Sequence, residues 1–102
     1  MANEELIAAS ETAYELISDY ARDLGKFIGQ LQDEATAVSN TLSNMHNYWD
    51  GSLYDDFARN IKAKLQKIAT ELARAEDLRK TLEMSAQEMK ITIEILQAAS
   101  DV

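Results

Sequence analysis

Tyr48-Trp49-Asp50-Gly51 lies almost at the midpoint of a 102-residue chain and is the stretch where a helix is expected to stop. The arms on either side, 4–46 and 53–99, contain no proline. Around the midpoint several residues have a local reason to leave a helix. Asn44, Asn47 and Asp50 carry short polar side chains that compete for nearby backbone groups. Gly51 can adopt a positive φ without a Cβ clash. Ser52 or Asp50 can then cap a second helix, and Asp55 and Asp56 in its first turn are favoured by the helix dipole. The expected fold is all-α: an antiparallel two-helix hairpin forming a single domain over 1–102, with helix 4–46, turn 47–52 and helix 53–99.

Composition supports long helices. The chain has no proline and three glycines, and alanine, leucine, glutamate, lysine and glutamine are abundant. A hairpin of this length cannot enclose a globular core, so it offers surfaces rather than pockets. There is no cysteine, which excludes disulfides and thiolate metal sites. No stretch approaches the roughly 20 apolar residues of a membrane span, so none is expected. The start, Met1-Ala2-Asn3-Glu4-Glu5, is acidic where a secretory signal is basic, so an ordinary signal peptide is not expected.

The formal net charge of −8 is unevenly spread. Residues 1–46 hold Glu4, Glu5, Glu11, Glu15, Asp19, Asp23, Asp33 and Glu34 against Arg22 and Lys26. An acidic surface argues against nucleic acid or anionic membrane as partner. Arg59, Lys62, Lys64 and Lys67 form a basic stretch that is either a solvated helix face or one that meets an acidic first helix, its own or a partner's.

Apolar or small residues in the first arm fall at Leu6, Ala9, Ala13, Leu16, Tyr20, Leu24, Phe27, Leu31, Ala35, Val38, Leu42 and Met45. The second arm has Leu53, Phe57, Ile61, Leu65, Ile68, Leu72, Ala75, Leu78, Leu82, Ala86, Met89, Ile93 and Leu96. Steps of three and four keep each stripe on one side of its helix, and these are read as the hairpin seam. A second stripe runs beside the first: Ile7, Tyr14, Ala21, Ile28 and Ala35 on the first arm, then Tyr54, Ala58, Ala69, Ala73, Met84, Ile91 and Ile95 on the second. One antiparallel neighbour covers one stripe per helix, and each large side chain left in water forgoes about 1.5–3 kcal/mol. The expected remedy is dimerisation into a four-helix bundle, with Ile7, Tyr14, Ala21, Ile28, Ala35, Tyr54, Ile91 and Ile95 as the partner interface.

Catalysis finds little support, and no catalytic residue, cofactor or metal site is expected. His46, the only histidine, lacks a cysteine or serine partner and suits a helix C-terminus as a dipole partner. No glutamate stands three residues before it, as a helical di-metal site requires. Gly25 and Gly29 have the GxxxG spacing and, with Ala21, make a narrow strip of small residues. That strip either admits a close helix or reflects ordinary tolerance of glycine. Trp49 has no local reason to sit in a tight turn. A large indole there packs over the bundle end or forms part of a contact surface.

With about 100 residues, two amphipathic arms and a central Trp49-Asp50-Gly51, the whole chain resembles the WXG family, the early-secreted-antigen-like small proteins of type VII (ESX or Ess) secretion systems. The motif residues are Trp49 and Gly51, with Asp50 as X. The resemblance implies four-helix bundles as homodimers or heterodimers, export without a signal peptide from the cytoplasm, and work as secreted substrates or carriers of larger effectors. Family members that carry the export signal have Tyr-X-X-X-Asp/Glu after the second helix. Here Tyr14, Tyr20, Tyr48 and Tyr54 are each followed four residues later by neither Asp nor Glu, and no tyrosine follows Tyr54. The implied partners are therefore the chain itself, a related small helical protein that supplies the signal, or a larger effector or toxin. The alternative is a non-secreted helical adaptor or chaperone that binds the N-terminal helical region of an LXG-type toxin.

Overall fold

The computed structural model describes residues 2–49 and 51–100 and contains two helices, α1 (Ala2–His46) and α2 (Ser52–Ser100). The architecture is the all-α helical hairpin that the midpoint turn requires, with helix ends within two residues of expectation. The turn closes through backbone bonds onto the last carbonyls of α1. Asn47 N–H donates to the Asn44 carbonyl at 3.1 Å, and Tyr48 and Trp49 N–H both donate to the Met45 carbonyl at 3.0 and 2.8 Å. These bonds satisfy acceptors that a helix end leaves without partners. Gly51 then takes φ +117°, where a side chain would be strained, and its carbonyl accepts the Asp55 N–H at 3.0 Å. Gly51 therefore occupies the cap position of α2. Ser52 is already its first helical residue, and Asp50, the other expected cap, lies outside the described residues.

The chain forms two compact units, Lys26–Glu76 and the pair Met1–Gly25 with Asp77–Val102. In the Lys26–Glu76 unit, Leu42, Tyr54 and Ala58 make the core, with Met45 and Ile61 packed against it. The Tyr54 hydroxyl is buried and donates to the Leu42 carbonyl at 2.8 Å. The His46 ring meets Tyr54 edge-on, with centroids 5.1 Å apart. Ile28 and Leu72 are buried further along this unit. In the other unit, Ser10 and Ala21 of α1 and Ala86 and Ile93 of α2 are buried, with Ile7, Tyr14, Ile17, Leu82, Met89 and Leu96 half-buried.

These positions correct the sequence reading of α1. Ala21 is 3% and Ile28 4% exposed, whereas Leu16 is 65% and Tyr20 58% exposed. The stripe expected to face outward is the seam, and the early part of the stripe expected to form the seam faces outward. The reason lies in the spacing. The inward residues follow strict alternation of three and four (7, 10, 14, 17, 21, 24, 28, 31), which averages the 3.5 residues that hold one face toward a neighbouring helix. The other stripe contains consecutive four-residue steps, Leu16–Tyr20–Leu24 and Phe27–Leu31–Ala35. Each such doublet rotates the stripe around the helix, so that it starts on the flank and reaches the seam only further along. Ser10 escapes an apolar pattern because it is polar, although it stands between Ile7 and Tyr14 at the seam spacing.

On α2 the same rule replaces Leu53 and Phe57 by Tyr54 and Ala58, and Leu78 by Arg79. Arg79 is half-buried opposite Gly25: a Cβ at Gly25 would meet the Arg79 Cδ at 3.2 Å. The missing side chain makes room for the aliphatic stem, while the guanidinium donates to Glu83 one turn on. A Cβ at Gly29 would meet nothing within 4 Å. Of the two glycines in the GxxxG spacing, close approach therefore needs only Gly25. The ion pairs Arg22–Asp19, Arg59–Asp56 and Arg74–Glu71 are exposed pairs within one helix, so they support helicity without joining the arms.

Gly29→Ala is expected to raise stability by about 0.5–1 kcal/mol in urea unfolding, because an open helical site gains helix propensity at no steric cost. Gly25→Ala should gain measurably less, since the Arg79 stem must move aside. Equal gains at both positions would show that Arg79 is not held against position 25.

Candidate partner-binding surface

At the turn end of the Lys26–Glu76 unit, Trp49 rests on two aromatic rings of the first turns of α2. Its centroid lies 6.1 Å from Tyr54 with the planes at 68°, and 6.2 Å from Phe57 with the planes at 38°. It is 43% exposed. One side of the ring caps the hairpin and the rest faces water. Beside it lies an open groove of about 230 Å³ lined by Ala37, Val38, Leu42, Met45, Phe57 and Ile61, with Thr41 completing the wall. Val38 and Phe57 in its lining are 45% and 39% exposed. On the same unit, Ala35, Ala69 and Ala73 are too small to fill the space between the arms. They leave a wider trench of about 710 Å³ with Gln32, Asp33 and Glu76 at its edges.

In the unit of Met1–Gly25 and Asp77–Val102, α1 exposes Leu6, Leu16 and Tyr20 along one flank, with Ala9 between them. On α2 of that unit Leu78, Met84, Ile91 and Ile95 are exposed. Most of the residues expected at a partner interface are elsewhere. Ala21, Ile28 and Tyr54 are buried within the hairpin and Ile7, Tyr14 and Ala35 are half-buried in it, because these six keep the seam spacing. Ile91 and Ile95 do face outward. The outward set on α1 is therefore Leu6, Leu16 and Tyr20. Its signal in the sequence is the flank position one residue before Ile7 and Ala21.

Charge separates the two units. Residues 1–25 and 77–102 carry eleven carboxylates against four cations, whereas 26–76 carry seven against six. Nearly all of the −8 therefore sits on the unit with the exposed α1 flank. The basic stretch is exposed; Arg59 pairs with Asp56 on its own helix at 3.2 Å, and Lys62, Lys64 and Lys67 hold no ion pair among the described residues. Among the described residues the stretch therefore does not pair with the acids of its own α1.

Among the described residues no group of three or more His, Cys, Asp or Glu is placed to hold a metal ion, and no helix is long and apolar enough to cross a membrane. No family model, curated protein or solved structure matches the chain.

Trp49 is the only tryptophan, so its emission reports this surface alone. Phe57→Ala is expected to shift the emission maximum toward that of solvated indole while leaving helical content unchanged, because Phe57 shields one side of the ring. An unmoved maximum would mean that Tyr54 alone supplies the shielding.

Proposed function

We propose that the chain is a WXG-type small protein of a type VII secretion system. It works by helical-bundle association, as a secreted substrate or as the carrier partner of a larger effector. The observation that carries this reading is the exposed flank Leu6, Leu16 and Tyr20, which the hairpin leaves uncovered on a helix whose seam is already occupied. Leaving such side chains in water forgoes about 1.5–3 kcal/mol each, and a second pair of helices laid along the flank recovers it. The half-exposed Trp49 at the hairpin end, beside an apolar groove, gives the association a second contact point of the kind aromatic anchors supply.

A second reading has its own support. The unit that carries the flank is strongly acidic, so two copies laid side by side in parallel repel each other. That favours a different chain as partner, including the N-terminal helical region of an LXG-type toxin held by a non-secreted adaptor. The two readings share the surface and differ in whether the complex is exported.

The purified chain is expected to be a helical dimer, or to form a stable complex when co-expressed with the products of neighbouring genes. Light scattering that finds a well-folded monomer recruiting none of them would overturn the bundle reading. Secretion from a type VII-competent host, compared with and without the partner, separates carrier from adaptor: export that depends on the partner supports the first, and retention of the assembled complex the second.

Trp49→Ala is expected to weaken partner association about tenfold or more, in the range of an aromatic anchor, while thermal stability falls modestly because both arms keep their seams. A variant that unfolds in bulk but binds normally in its folded fraction would make Trp49 a packing residue only.

A further inference from the structure

The outer side of α2 in the unit of Met1–Gly25 and Asp77–Val102 carries an apolar row that neither the seam nor a bundle partner accounts for. Met84 stands two residues from both Leu82 and Ala86, and Ile91 two residues from both Met89 and Ile93. At 3.6 residues per turn, two residues correspond to about 200°, so both point directly away from the seam. Ile95 follows one turn after Ile91. The three are 65%, 48% and 63% exposed. In a four-helix bundle each helix meets neighbours on its seam side and on one flank, roughly a quarter-turn apart, so this row lies outside such a bundle.

Its electrostatic setting is acidic on balance. Glu88 stands between Met84 and Ile91 in the same row and Glu94 is adjacent to Ile95, while Lys80, one turn before Met84, and Lys90, beside Ile91, are the cations of the stretch. Neither carboxylate holds an ion pair among the described residues, whereas Asp19, Asp56, Glu71 and Glu83 each pair with an arginine on their own helix. The surrounding unit is acidic by eleven carboxylates to four cations.

We propose that Met84, Ile91 and Ile95, with Glu88 and Glu94, form a docking site for one basic amphipathic helix of another protein. The row spans about 16 Å, or three helical turns, which fits a partner helix presenting apolar side chains at i, i+4 or i+7, and i+11. Lysine or arginine beside those anchors would meet the two unpaired carboxylates. A second copy in the same place would bring two strongly acidic units together, and an anionic lipid surface would be repelled in the same way. The site is independent of the bundle reading, because the Leu6, Leu16 and Tyr20 flank belongs to a different helix.

The test uses the full chain and a leucine–lysine peptide with leucines three and four residues apart, alongside its leucine–glutamate twin. The lysine peptide is expected to bind with an affinity that falls as salt rises. Met84→Ser, Ile91→Ser and Ile95→Ser together should weaken it at least about tenfold, while helicity by circular dichroism stays constant because all three are exposed. Glu88→Lys with Glu94→Lys keeps the apolar row and should reverse the preference to the glutamate peptide. Leu6→Ser, Leu16→Ser and Tyr20→Ser together should leave peptide affinity within about twofold, because removing even one large apolar anchor from the bound surface would weaken it about tenfold or more. That last variant reports the bundle reading separately, through the mass of the complex. The proposal is overturned if the α1 variant no longer binds the peptide, or if the wild-type chain binds both peptides equally. It is also overturned if the α2 variant lowers the mass of the chain alone, which would make the occupant a second copy. Binding to zwitterionic vesicles that the α2 variant abolishes would make the occupant lipid and would overturn it too.

Discussion

The Tyr54 hydroxyl donating to the Leu42 carbonyl ties the first turn of α2 to the last full turns of α1 across only twelve residues. Because that bond is buried, a rotation that takes the hydroxyl away from the carbonyl leaves the hydroxyl without a partner, at a cost of about 1–3 kcal/mol. With Ala58 beside it and Met45 and Ile61 packed around it, the contact selects Tyr54 rather than Leu53 as the first inward residue of α2. Gly51 makes this possible, since its positive φ turns the chain so that α2 starts at Ser52 with Tyr54 pointing back at α1. Once the phase is set there, strict three-four spacing carries it along each helix. Leu53 and Phe57 are consequently left on the surface.

The seam that follows is thin. Its buried apolar residues are Ala21, Ile28, Leu42, Tyr54, Ala58, Leu72, Ala86 and Ile93, and three of these eight are alanines. Ser10 and the stem of Arg79 occupy further seam positions, and Ala35 and Ala69 leave a trench rather than a filled interior. A two-helix object has little volume to enclose, so much of its apolar surface remains outside the seam. The exposed residues are correspondingly large: Leu16, Tyr20, Phe27, Met84 and Ile95 all exceed in bulk the alanines that face inward. Small residues inside let the backbones approach, and large residues outside present contact area.

Two kinds of surface result. The α1 flank lies beside the seam, where a neighbouring pair of helices would complete a bundle. The α2 row lies opposite the seam, where only a third layer would reach it. Acidity concentrates on the unit that carries the α2 row and the Leu6, Leu16 and Tyr20 flank, while the turn-end unit, with Trp49 and its groove, is nearly neutral.

Helix, turn and helix were legible from the residues alone, because propensity, the absence of proline and the Asn44–Gly51 cluster act locally and agree with one another. The presence of more apolar surface than a hairpin can bury was legible too, since it follows from the number of stripes. Which stripe would be covered was not. Leu6–Leu16–Tyr20 and Ile7–Tyr14–Ala21 are adjacent and similarly apolar, so hydrophobicity by itself cannot rank them, and the polar Ser10 interrupts the one signal that does, the unbroken three-four alternation of the second set. The tertiary structure decided between them within their own unit, where Ala21 is buried together with Ala86 and Ile93 of α2 while Leu16 and Tyr20 are left exposed. A shift of one residue turns a helix by about 100°, which is enough to exchange a core for a binding surface.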